Sequence, residues 1–152
     1  MAQGVRNFEP VGVYELPEYP GQRLQYPPLL EMIRYCYEKR FTHIHSATPG
    51  PVGIAALAVA RILGLPIFGT YHTALPEYAQ RLTNDGAIAG GMGKYTDWYY
   101  DQMDRVFVPS RSTATDLVER GVAQAKISIF PRGIDIAHFH PSKRSAILEE
   151  RF

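Results

Sequence analysis

Four short polar groups, each standing directly after an apolar run, hold the residues best suited to chemistry in this chain. In the stretch Phe68–Gln80, FGTYHTALPEYAQ, the apolar start gives way to Tyr71-His72-Thr73, with Pro76 and Tyr78 following. A histidine ring can donate or accept a hydrogen bond, and a threonine hydroxyl can do both. Placed side by side at the end of a buried strand, they could orient a polar ligand or stabilise charge developing on it. Ile44 leads in the same way into His45-Ser46-Ala47-Thr48-Pro49-Gly50, Val108 into Pro109-Ser110-Arg111-Ser112, and Phe130 into Pro131-Arg132-Gly133-Ile134-Asp135. Each group also has a plain structural alternative. His72 could be a core histidine bonded to backbone, and Thr73 a cap for a helix from Leu75 onward. Tyr78 and Tyr95 could serve packing. Arg132 and Asp135 could shape a turn for which Gly133 supplies the unusual backbone angles.

Other chemistries lack their residues. Gly90-Gly91-Met92-Gly93-Lys94-Tyr95 departs from a phosphate-cradling loop at two required positions: Ile88 stands where the first glycine belongs, and Tyr95 where a serine or threonine belongs. No Gly-x-Gly-x-x-Gly follows a strand, and no Gly-x-Ser-x-Gly elbow occurs. The pairs His43-x-His45 and His138-x-His140 share a face in extended chain but have no third ligand nearby, so no metal is expected. No Asp-x-Asp is present. The single cysteine, Cys36, excludes an internal disulfide and fits a reducing compartment.

The elements that must position these groups can be read from hydrophobic periodicity. Val5–Leu16 suggests one or two strands, and the proline- and tyrosine-rich Pro17–Pro28 an ordered loop. Leu29–Lys39 has helical spacing, and Thr42–Ser46 reads as a strand. Gly50-Pro51 opens a helix through Leu63, which Gly64 closes in the left-handed region. A strand over Pro66–Tyr71 and a helix over Leu75–Leu82 follow, then the weakly patterned Thr83–Gly93 and a helix over Lys94–Met103. Arg105–Val108 is a strand, Ser110 caps a helix to Arg120 ahead of Gly121, and Ile127–Phe130 is the last strand. Pro131–Pro141 reads as a linker and Ser145–Phe152 as the start of a helix. Short apolar strands alternating with helices predict an α/β fold, a parallel sheet with helices on both faces. In such a sheet the strand ends share one edge, and ligands bind in the crevice beyond it.

Composition sets the bounds. The chain has 152 residues, 45% hydrophobic and 20% charged, which suits one domain with its own core. A net charge of +1 with scattered basic residues gives no reason to expect nucleic acid. Met1–Glu9 lacks a basic start followed by an apolar run, and the longest apolar run, Val52–Ala60, is far below the ~20 residues a bilayer span needs. The expected location is cytoplasmic, compatible with peripheral contact at the inner face of a membrane.

The segments THIHSATPGPVGIAALAVARILGLPIFGTYHT, DRVFVPSRST and ISIFPRGIDIAHFHPSKR, in that order, resemble the acceptor-side domain of retaining glycosyltransferases of family four, which have the GT-B fold of two Rossmann-like domains. The Tyr-His-Thr-x-x-Pro-x-Tyr run is similar to the subgroup that glycosylates lipids such as diacylglycerol. The resemblance covers Phe41–Arg144. It implies transfer of a sugar from a nucleoside diphosphate to an acceptor hydroxyl of a lipid or saccharide, with retention and without a metal or other cofactor. It places His72 against the donor sugar near the reacting carbon. Thr73 and Thr48 would lie toward the acceptor, with Ser46, Tyr78 and Arg81 on the same side. Ser110, Arg132, Gly133 and Asp135 would line the cleft toward the donor. Residues 1–136 would form the acceptor-side domain without the family's first strand and glycine loop. Residues 137–152 would be the linker and start of the donor domain. A fragment of this kind is expected to be inactive alone. Two alternatives stay open at this point: a sugar-nucleotide epimerase, for which Glu77 is the one carboxylate close to His72, and a non-catalytic Rossmann-like binding module.

Overall fold

A computed structural model describes residues 4–17, 21, 23–72, 74–131 and 133–143. The expected strand near the N-terminus is half of a hairpin: β1 (Gly12–Glu15) pairs antiparallel with β2 (Arg23–Tyr26), with Gly12 opposite Tyr26 and Glu15 opposite Arg23. The second strand falls within the segment expected to be loop, because four residues between proline-rich flanks carry too little periodicity to read. α1 (Leu29–Glu38) follows directly and leans on α2.

The body is a four-stranded parallel sheet of β3 (Ile44–Ser46), β4 (Ile67–Thr70), β5 (Arg105–Val108) and β6 (Ile127–Ile129), in that spatial order. Ser46 lies opposite Gly69, Gly69 opposite Val106, and Val108 opposite Ile129. α2 (Pro51–Leu63) joins the first pair; it starts at an extended Gly50 and ends at Gly64 with φ 64°, as its sequence requires. α3 (Leu75–Thr83) and α4 (Gly86–Asp101) pack against each other between β4 and β5. α4 starts eight residues earlier than its aromatic pattern suggests. Gly90, Gly91 and Gly93 weaken helical propensity by about 1 kcal/mol each, but Asp85 caps the first turn, its Oδ1 accepting from the amides of Ala87 at 2.8 Å and Ile88 at 3.4 Å. α5 (Arg111–Glu119) lies between β5 and β6, with Ser110 Oγ accepting from the Thr113 amide at 3.2 Å.

The α/β class and the parallel sheet flanked by helices are those expected from the sequence. The helical cover is uneven. With a one-way strand order, right-handed crossovers bring the connecting helices to the same face. On that face Ile67, Val106 and Val108 are buried with Leu57, Tyr99, Tyr100, Met103 and Leu117. Gly69 lets α4 approach closely, since a Cβ there would lie 3.2 Å from Met103 Cγ and 3.3 Å from the Tyr100 ring. The opposite face carries His45, Phe68, Thr70, Phe107 and Ser128, all half-buried or exposed among the described residues.

Candidate functional site

Because the four strands are parallel, the polar segments after Ser46, Thr70, Val108 and Ile129 open on one edge, which puts His72 and Ser110 at the same end of the sheet. The loop after β3 and the end of β4 are held by tyrosines of a single helix. The Tyr95 hydroxyl donates to the Pro49 carbonyl. The Tyr99 hydroxyl shares a 2.6 Å hydrogen bond with Ser46 Oγ and reaches the Thr48 carbonyl at 3.4 Å. The Tyr100 hydroxyl donates to the Thr70 carbonyl at 3.0 Å. Residues 95 and 99 stack on one side of α4 by helical spacing, while residue 100 turns toward β4. The rings of Tyr99 and Tyr100, 0% and 2% exposed, fill the core, and the three hydroxyls reach the backbone carbonyls of Pro49, Thr48 and Thr70. Burial pushes the phenols of Tyr95, Tyr99 and Tyr100 above the usual tyrosine range, so they remain neutral donors at physiological pH. Nothing in the one-dimensional pattern marks these tyrosines as loop anchors; their even helical spacing reads as packing.

Tyr71, the last residue before the exposed loop, is 7% exposed, and its amide donates to the Phe107 carbonyl at 2.9 Å. His72 then turns out to solvent, and among the described residues no hydrogen bond holds its ring. Thr73 and Arg132 lie outside the described residues. Thr48 is exposed at the end of the neighbouring loop. Ser46 differs from the acceptor contact expected of it: it is 4% exposed and faces Tyr99, because period-two alternation puts it on the same inward face as Ile44. Tyr78 and Arg81 are exposed one turn apart on α3. Ser110 serves as the cap of α5. Asp135 Oδ1 accepts from the amides of Ala137 at 3.0 Å and His138 at 2.8 Å, so it shapes the exit turn, with Gly133 exposed beside it.

The histidine pairs have local partners. His43 Nδ1 meets Thr42 Oγ1 at 3.0 Å, and His140 Nδ1 meets Ser142 Oγ at 2.7 Å. His45 Nε2 lies 2.7 Å from Thr70 Oγ1, and its ring stacks on Phe107 with centroids 5.9 Å apart. His45, Thr70, Phe107 and Phe130 line a shallow cavity of about 290 Å³ on the open sheet face. A larger cavity of about 440 Å³ lies between α5 and β6 and is lined by none of the loop-edge residues. No helix among the described residues is long and apolar enough to cross a membrane.

The arrangement is an edge with an exposed imidazole and a threonine on loops fixed from behind, which suits the orientation of a polar substrate. Comparison with known proteins agrees with the motif order. The chain is 32% identical over 103 residues to the sulfoquinovosyl transferase of Arabidopsis thaliana, covering 67% of this chain and 20% of that protein. It is 28% identical over 161 residues to a GDP-mannose-dependent alpha-mannosyltransferase of Corynebacterium glutamicum, covering 99% of this chain and 38% of the relative. It is 24% identical over 141 residues to the alpha-monoglucosyldiacylglycerol synthase of Streptococcus pneumoniae, covering 89% and 32%. The chain thus spans only a fifth to two fifths of the length of these relatives. The sequence profile described as Glycosyltransferase Family 4 matches residues 2–138, and the chain belongs to that family.

Proposed function

We propose that this chain is the acceptor-side wall of an enzyme that transfers a sugar from a nucleoside diphosphate to a lipid or saccharide hydroxyl with retention of configuration. The observation that carries this reading is His72, an exposed imidazole at the end of a strand whose last residues are pinned by Tyr71 and Tyr100. A backbone fixed in this way gives the ring a defined origin from which to meet an oxocarbenium-like transition state. His72 acts on the reacting sugar, while Thr48, Thr73, Tyr78 and Arg81 contact the acceptor. Ser110, Arg132, Gly133 and Asp135 border the donor side. Cationic side chains and helix N-termini elsewhere in the protein hold the diphosphate, so no metal takes part. The family membership and the alpha-monoglucosyldiacylglycerol synthase among the relatives support a hydroxyl acceptor, and a lipid acceptor brings peripheral contact with a membrane.

Donor and acceptor must be held together for reaction, and effective molarity collapses when one is unbound. The chain alone is therefore expected to show no turnover. The test incubates it, and separately the full-length protein, with nucleotide sugars and lipid or sugar acceptors, and assigns the product anomer by NMR. Retained configuration from the full-length protein and no product from the 152-residue chain are expected. Inverted product, or sustained turnover by the chain alone, would overturn the proposal.

A further inference from the structure

We propose that Arg120 and Asp97 clamp the hydroxyl of Tyr71 and so set the position of His72, which makes them positioning residues for the transfer; this rests on the function proposed above. Tyr71 directly precedes His72 and inserts its ring between α4 and α5. The ring meets Tyr100 edge to face, with centroids 5.2 Å apart. Its hydroxyl accepts from Arg120 Nη1 at 3.1 Å, and the guanidinium carbon lies 5.8 Å from the ring centroid. Arg120 Nη2 stands 2.6 Å from Asp97 Oδ1. Those two atoms are shielded from solvent, and among the described residues neither has a hydrogen-bond partner, so the pair is held by charge at contact distance.

The three residues come from three elements: the end of β4, the middle of α4 and the C-terminus of α5. Burial alone would lower the Arg120 pKa, but the adjacent Asp97 carboxylate and the hydrogen bond to Tyr71 outweigh it and hold the guanidinium above its usual range. An ion pair in this position is a poor device for stability. Apolar residues of similar size would join α4 and α5 at least as well. What an apolar contact cannot do is hold a phenol by its oxygen in a fixed direction, as a planar guanidinium fork does. With the amide of Tyr71 bonded to β5 at one end and its hydroxyl bonded to Arg120 at the other, the residue is fixed along its whole length. The next Cα inherits that constraint. Arg120 closes α5, a helix that begins at Ser110 on the crevice edge, so the clamp joins the end of β4 to the far end of that helix.

The test is a double-mutant cycle in the full-length protein. Tyr71→Phe keeps the ring and removes the contact; it should lower kcat roughly three- to tenfold with little change in KM for either substrate. Arg120→Lys keeps the charge without the fork and should fall between wild type and Tyr71→Phe. In a His72→Ala background, Tyr71→Phe should change kcat by less than about twofold, because the group it positions is gone. Full additivity of the two substitutions, or a Tyr71→Phe variant that melts earlier but turns over at the wild-type rate, would overturn the clamp. A His72→Ala variant with unchanged turnover would instead overturn the catalytic reading of His72. The clamp is then decided by histidine-labelled NMR of the full-length protein. His72 ring resonances that shift in both Tyr71→Phe and Arg120→Lys would support it, and unchanged resonances would refute it.

Discussion

Along the crevice edge, the loops after β3 and β4 and the segment after β6 bear similar polar residues in opposite physical settings. The β3 loop and the end of β4 are bound from behind by Tyr95, Tyr99 and Tyr100, with hydroxyls on backbone carbonyls and on Ser46. In the third, Phe130, Ile134, Ile136 and Phe139 are 65–73% exposed, and Asp135 makes the side-chain bonds that shape the turn. The first region is preorganised by the chain's own packing, whereas the second has little cover among the described residues. Catalytic geometry needs a rigid support, and the role proposed for His72 falls next to that support rather than in the exit segment.

This contrast can be broken most forcefully at Gly53. A Cβ there would lie 1.9 Å from the Thr48 carbonyl oxygen and 2.6 Å from the Tyr99 hydroxyl. Backbone and a packed helix cannot both withdraw, so Gly53→Ala should cost about 3 kcal/mol or more in urea unfolding; a loss below about 1 kcal/mol would mean the β3 loop is not held as described. Tyr99→Phe is the next step down. It strips Ser46 Oγ of its best partner in a buried site and should cost about 2 kcal/mol, measured by the same unfolding curves.

Alkaline pH probes the same support more gently. Tyr100 titrates above the usual range because burial disfavours its anion, reinforced by the neighbouring Tyr99, Tyr71 and Tyr95. Its folded pKa is raised, so its contribution is fully present below the unfolded value of about 10 and is lost as pH rises beyond it. Stability should therefore be flat with respect to this group up to about pH 10, then fall by on the order of 1 kcal/mol per pH unit. The phenolate absorbance that the wild type shows and a Tyr100→Phe variant lacks should rise together with unfolding. That difference appearing in a still-folded protein would contradict the burial argument. The smallest effect belongs to the other region: Ile136→Ser, at a residue 73% exposed, should change the stability of this chain by less than about 0.5 kcal/mol. A larger loss would show that the exit segment is supported after all.

How much of this could be read from the residues alone varies with the kind of interaction. The crevice edge was legible, because apolar runs ending in polar groups at Ile44, Phe68, Val108 and Phe130 report strand ends whatever the tertiary detail. The inward direction of Ser46 was also legible in principle, since it alternates with His45 and shares a face with Ile44. The tyrosine anchors were not, because a phenol's partner depends on which carbonyl the fold brings within 3 Å. The start of α4 was hidden by its glycines, whose weak propensity is overridden by the Asp85 cap and by packing on α3. The one-way strand order, which leaves Phe68 and Phe107 on the less covered face, depends on pairing between distant segments and has no local signature.

The most direct test of the central claim is the turnover of His72→Ala in the full-length protein, measured beside its thermal unfolding and its affinity for the nucleotide sugar. Because His72 is exposed and makes no hydrogen bond among the described residues, the substitution should leave folding intact. Turnover should fall at least tenfold, toward the ~2.7–4 kcal/mol that one preorganised contact contributes to a transition state. A variant that folds, binds the nucleotide sugar and turns over at the wild-type rate would contradict the assignment of His72 to the reacting centre.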